Sequence, residues 1–171
     1  MSVAGQFAPI VSVFLLALIA VLPWGLPPDA RFVLPLLPVI AILHWATADR
    51  TRLSPIVAFL AGLGVDILTS GPLGYWSLIY LVGLALAPRI QNVAEQHGRW
   101  ARFFGVIIVL FLLITLAWTI ASFFYLELAD WRPFAWAGIL ACALYPPLVF
   151  FLGLFERQGP RRLNDTLTRG R

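Results

Sequence analysis

Asp66 is the residue best placed to do chemistry in this chain. It stands alone among apolar neighbours in the stretch Gly62 to Gly74, which reads GLGVDILTSGPLG. An ionisable group in a lipid-soluble segment is costly unless paired, so such residues mark binding or proton-coupling sites by default. A second role fits the same position. Near the end of one helix and the start of the next, a carboxylate can accept hydrogen bonds from Thr69, Ser70 or the free N–H groups of the following helix. Asp66 would then be a structural clasp for a hairpin.

The other reactive side chains are sparse. His44 precedes Trp45, but no second histidine or cysteine stands at metal-ligand spacing. A histidine hydrogen-bonded at the membrane boundary accounts for it more simply. Cys142 is the only cysteine, which excludes an internal disulfide and a thiolate cage. Thr115, Thr119 and Ser122 share one helix face. Such hydroxyls either bond the carbonyl one turn back or face the bundle interior toward Asp66. No H-E-x-x-H, G-x-S-x-G, P-loop or acidic cluster is present. The sequence therefore supplies no catalytic set, no cofactor-binding residues and no metal ligands, and it reads as a non-enzyme.

The elements that position Asp66 are apolar. Of 171 residues 61% are hydrophobic and 12% charged, more apolar surface than a soluble domain of this size needs. Six apolar segments recur, at 7–22, 32–48, 55–69, 73–88, 103–125 and 134–155. The expected fold class is an all-α membrane protein, a six-helix transmembrane bundle over residues 1–155. Residues 156–171 form an arginine-rich cytoplasmic tail, of a composition that stays unstructured or adsorbs to anionic lipid. The run from Phe7 lacks a preceding basic region and reads as a retained helix rather than a cleaved signal.

Asp66 sits in the third segment. Ser70-Gly71-Pro72 separates it from the fourth, with Pro72 pre-set for a helical first turn. Both segments look short. That is the usual pointer to a ligand site in transporter-like folds, and equally the mark of a tight hairpin in a locally thinned bilayer. Ala58, Gly62 and Asp66 fall on one helix face, and Gly83 and Ala87 repeat the pattern, as expected of close helix packing. Leu73-Gly74 opens the fourth segment. The connection 89–102 reads as the longest loop, with a short amphipathic stretch on the inner leaflet that Gly98 should end. Pro146 and Pro147 lie mid-segment in the sixth and should bend it.

All basic side chains are arginine, since lysine is absent. Ten of the twelve lie in the connections before segments three and five and in the tail, leaving Arg31 and Arg132 on the other side. A basic excess so placed speaks for cytoplasmic loops rather than nucleic acid. Both termini are therefore expected in the cytoplasm and the hairpin tip outside.

Taken together, Pro23-Trp24, Pro35, His44-Trp45, Arg50, Gly62-x-x-x-Asp66, Leu73-Gly74 and Arg132-Pro133-Phe134, followed by a proline in the last segment, resemble the bacterial rod shape-determining MreD proteins. The resemblance covers nearly the whole chain, the arginine tail excepted. It implies a scaffold subunit of the cell-elongation machinery in the inner membrane, acting in peptidoglycan synthesis. It also implies a six-helix fold similar to the substrate-binding subunits of vitamin (energy-coupling factor) transporters. The implied partners are a bitopic MreC-like protein, the actin-like MreB, the RodA glycosyltransferase and a penicillin-binding transpeptidase, besides membrane lipids. Gly62, Asp66, Pro72, Gly74, Gly83, Pro146 and Pro147 are the structural or partner-contact candidates. The alternative is a vitamin-like small-molecule-binding subunit of a transporter.

Overall fold

The computed structural model describes residues 3–25, 27, 31–48 and 53–156. Among them are six helices: α1 Val3–Val21, α2 Leu36–Ala48, α3 Pro55–Leu68, α4 Tyr75–His97, α5 Arg99–Tyr125 and α6 Arg132–Glu156. Three of them, α4, α5 and α6, are long and apolar enough to cross a membrane; α1, α2 and α3 are shorter apolar helices. The expected cytoplasmic loop with Arg50 and Arg52, and the tail from Arg157, lie outside the described residues.

Helix α2 is the centre of the bundle. Ten of its thirteen residues are buried, and Val39, Ile40, Ala41, Ile42 and Leu43 are completely so. It packs on α1, α4 and α6, while α1, α3, α4, α5 and α6 follow one another around it. A helix apolar on every side belongs inside. Its first helical residue is Leu36, after a turn over residues 32–35, so the proline-rich entry is irregular as the sequence suggests. Trp45 lies fully buried at the far end and donates its indole N–H to Ser12 Oγ on α1 at 2.8 Å. That bond lets a large amphipathic ring sit in the core without an orphaned donor.

The α3–α4 pair forms the hairpin. Ser54 caps α3, accepting from Ile56 N, and Pro55 occupies the first turn. Beyond Leu68 the chain reverses through Ser70, at φ 54°, and Gly74, at φ 92°. Gly71 N closes the turn on the Asp66 carbonyl oxygen at 3.1 Å. Pro72 does not open the next helix. It lies in the turn, where its carbonyl accepts from Tyr75 N, and α4 starts at Tyr75.

The fourth segment is longer than the sequence suggests, and the expected loop 89–102 is almost entirely helix. Helix α4 runs 23 residues, straight through Pro88 to His97, and α5 starts directly after Gly98. A proline removes one i→i−4 bond and crowds the preceding turn. Packing outweighs that cost here, because Ile90 and Ala94 beyond Pro88 are buried and Ile90 lies under Gly105 of α5. Gly98, at φ 84°, ends α4 as expected. In α6 the helix likewise continues through Pro146 and Pro147, both exposed, while neighbouring Tyr145 turns inward.

Candidate functional site

Asp66 is completely buried at the α3–α4 interface. Its Oδ1 accepts the backbone N–H of Trp76 at 2.9 Å; its Oδ2 accepts Gly74 N at 2.9 Å and Ser77 N at 3.5 Å. Ser77 Oγ also donates to Oδ2, at 3.3 Å. The first N–H groups of a helix have no intrahelical partner, and the macrodipole makes them positive. Gly74 provides no side-chain cap of its own. The carboxylate from the preceding helix does this work, eight to eleven residues upstream. Thr69 is not among its donors; that hydroxyl turns back to Val65 O at 2.7 Å.

Gly62 makes the approach possible. A Cβ there would lie 2.5 Å from the Ser77 backbone. Without one, the two helices close to the distance at which Asp66 reaches three backbone N–H groups. Ala58 is likewise buried on that face. Gly83 sits under Leu113 of α5, and Ala87 is fully buried. Gly62 and Gly83 therefore pack against helices of this same chain, and Ala58 and Ala87 are buried with them.

A cavity of about 790 Å³ lies at the hairpin-tip end of the bundle, where α1, α3 and α5 finish and α2, α4 and α6 begin. Its walls include Trp24, Pro35, Trp76, Tyr125 and Phe134, and Arg31 is the charged side chain among the lining residues.

Side-chain hydrogen bonds frame this cavity. Tyr75 OH donates to Ala117 O of α5 at 2.9 Å, and Tyr80 OH donates to Pro35 O at the start of α2 at 2.8 Å. Trp118 Nε1 reaches Ala129 O at 2.8 Å, and Ala129 N donates to Ser122 Oγ at 3.2 Å. Trp24 Nε1 bonds Ile19 O at 2.7 Å. Sequence reading passed over Tyr75, Tyr80 and Trp118. The available signal was an aromatic with a polar tip on a helix that must bury it. Conversely, Thr115 and Thr119 do not approach Asp66. They are exposed and bond the carbonyls of Phe111 and Thr115 one turn back.

Among the described residues no three histidine, cysteine or acidic side chains converge on a point. His44 meets Trp45 edge-on, with ring centres 5.2 Å apart. Cys142 is half-buried on α6. The Asp66 carboxylate is engaged by three backbone N–H groups and the Ser77 hydroxyl, and the neighbouring cavity offers shape and apolar surface.

No curated protein matches the chain, and no solved structure does. The family model described as rod shape-determining protein MreD matches residues 1–155, which include the hairpin, the central helix and the cavity. This chain, an all-helical membrane protein of cell-shape determination, belongs to the MreD family.

Proposed function

We propose that the chain is a non-enzymatic scaffold of the rod-shape machinery in the bacterial inner membrane. In this reading it binds an MreC-like bitopic protein, and through it supports peptidoglycan synthesis alongside MreB, RodA and a penicillin-binding transpeptidase. The family match over residues 1–155 carries the proposal. The distribution of arginines supports both termini in the cytoplasm, so the hairpin tip and the cavity face outward. Because the Ala58/Gly62 and Gly83/Ala87 stripes are used within the bundle, the partner is assigned to the cavity end instead. There a segment emerging from the membrane can enter a preformed apolar hollow. The test is capture from detergent-solubilised membranes together with cell shape on depletion. Recovery of an MreC-like protein and loss of rod shape are expected. Unchanged rods would overturn the reading.

The cavity volume also favours a second reading, a vitamin-like small-molecule-binding subunit of a transporter, with the six-helix fold of energy-coupling factor subunits that the family resemblance implies. About 790 Å³ falls within the usual range for ligand pockets. Co-purification of an ATPase module with a bound small molecule, and no MreC-like protein, would support it over the scaffold.

A further inference from the structure

We propose that the loop between α5 and α6, residues 126–131, is a preformed docking knob for a protein partner that offers an apolar pocket with a basic side chain at its rim. Leu126 and Leu128 are 87% and 86% exposed, the highest values among the large apolar side chains of the described residues. Leu126 also stands at φ 53°, at the end of α5, in the left-handed region where a helix end usually carries glycine. A leucine there is strained, and such strain persists only where the surroundings fix the backbone. They do so here. Leu126 N donates to Phe123 O at 3.3 Å, Ala129 N to Ser122 Oγ at 3.2 Å, and Trp118 Nε1 to Ala129 O at 2.8 Å. Asp130 Oδ1 accepts Arg132 N at 3.1 Å where α6 begins. The backbone is thus held in place while both leucines stay uncovered, which removes most of the ordering cost of binding through them.

Lipid does not suit this loop. Glu127 lies between the two leucines, and Glu127, Asp130 and Arg132 are all exposed. Charged side chains at this density belong outside the hydrocarbon core, and sinking the leucines would draw the Glu127 carboxylate in with them. Among the described residues Glu127 makes no hydrogen bond or ion pair. A carboxylate between two exposed leucines matches a protein surface with an apolar pocket and a basic rim. The loop also borders the cavity, since Tyr125, Ala129 and Phe134 are among its walls. The knob therefore stands at the rim of the hollow assigned above to the partner. Its occupant is the membrane-adjacent outer part of that bitopic protein. The partner's identity rests on the scaffold reading; the knob itself does not.

The experiment co-expresses the full chain with the bitopic MreC-like protein and measures capture in detergent, with the melting of each purified variant alongside. Leu126→Gly relieves the left-handed strain, so melting should hold or rise. Capture should fall at least about ten-fold, as expected when one buried leucine contact is lost. Leu128→Ser should lower capture by a similar factor at unchanged melting. Glu127→Gln should weaken capture and flatten its salt dependence, and Glu127→Arg should weaken it further. A merely structural loop would lose melting and capture together, which overturns the proposal. Native capture that all of these variants retain overturns the knob and leaves the scaffold reading standing. No capture by the native chain overturns both. A separate measurement tests lipid. Leu128→Cys in a Cys142→Ala background, labelled with an environment-sensitive fluorophore in nanodiscs of phosphatidylcholine and phosphatidylglycerol, should emit as in water. Blue-shifted emission without the partner would put the loop in the leaflet and overturn the proposal.

Discussion

The Asp66 carboxylate accepts the backbone N–H of Trp76 at 2.9 Å, and Trp76 is a wall of the cavity at the hairpin-tip end. A buried acid on α3 thus sets the position of an aromatic ring on α4 through the main chain. The bonds to Gly74 and Ser77 hold the same turn from its other side.

Substitution at Asp66 should grade with the acceptors that remain. Asn keeps one oxygen but aims its amide N–H groups at a backbone donor, whereas Leu keeps no acceptor. Each buried donor left unsatisfied costs roughly 1–3 kcal/mol. Melting in detergent should rank native above Asp66→Asn and Asp66→Asn above Asp66→Leu. A fully stable Leu variant would show that the hairpin does not depend on these bonds.

Two glycines two residues apart in α3, and so on different sides of it, should respond in opposite directions. Gly62→Ala drives a methyl into the Ser77 backbone and should destabilise by about 1–3 kcal/mol. Gly64 has nothing within 4 Å of an added Cβ, and Gly64→Ala should be neutral or stabilise by up to about 1 kcal/mol through the helix preference of alanine. Thermal denaturation of the two purified variants checks the contrast. Similar melting temperatures would argue against close α3–α4 packing.

Filling the cavity should separate function from folding. Ala121 lines it, and Ala121→Trp adds bulk inside a hollow rather than in the close-packed core. Protein level and melting should stay near native while partner capture and rod-shape complementation fall. Full complementation by a well-folded Ala121→Trp protein would remove the cavity from the functional account.

Topology is open to direct measurement. A reporter fused after Arg171 should behave as cytoplasmic and one inserted at Gly71 as periplasmic, because ten of twelve arginines lie on one side. A tail reporter active outside would reverse the orientation of the cavity and of the α5–α6 loop together.

Locally encoded features could be read without coordinates. The apolar runs mark the helices, Gly98 marks the break before α5, and Gly62 with Asp66 marks a close helix approach beside an acid that needs donors. Each depends on a few neighbouring residues whose backbone preference or solvation cost acts wherever the chain goes. Other features belonged to the tertiary structure. Pro88 looked like an end, yet buried Ile90 and Ala94 hold α4 helical beyond it. The small-residue stripes signalled packing without naming the neighbour, which proved to be α4 for Gly62 and α5 for Gly83. The cavity was invisible because its lining is drawn from segments far apart in the sequence, from the end of α1 to the start of α6. The physical reason is common to all three. In a bilayer, lipid is as apolar as a protein core, so hydrophobicity alone does not say which face of a helix is inside. Only the packed bundle decides whether Tyr80 finds the Pro35 carbonyl, and whether the hairpin-tip end is filled or hollow.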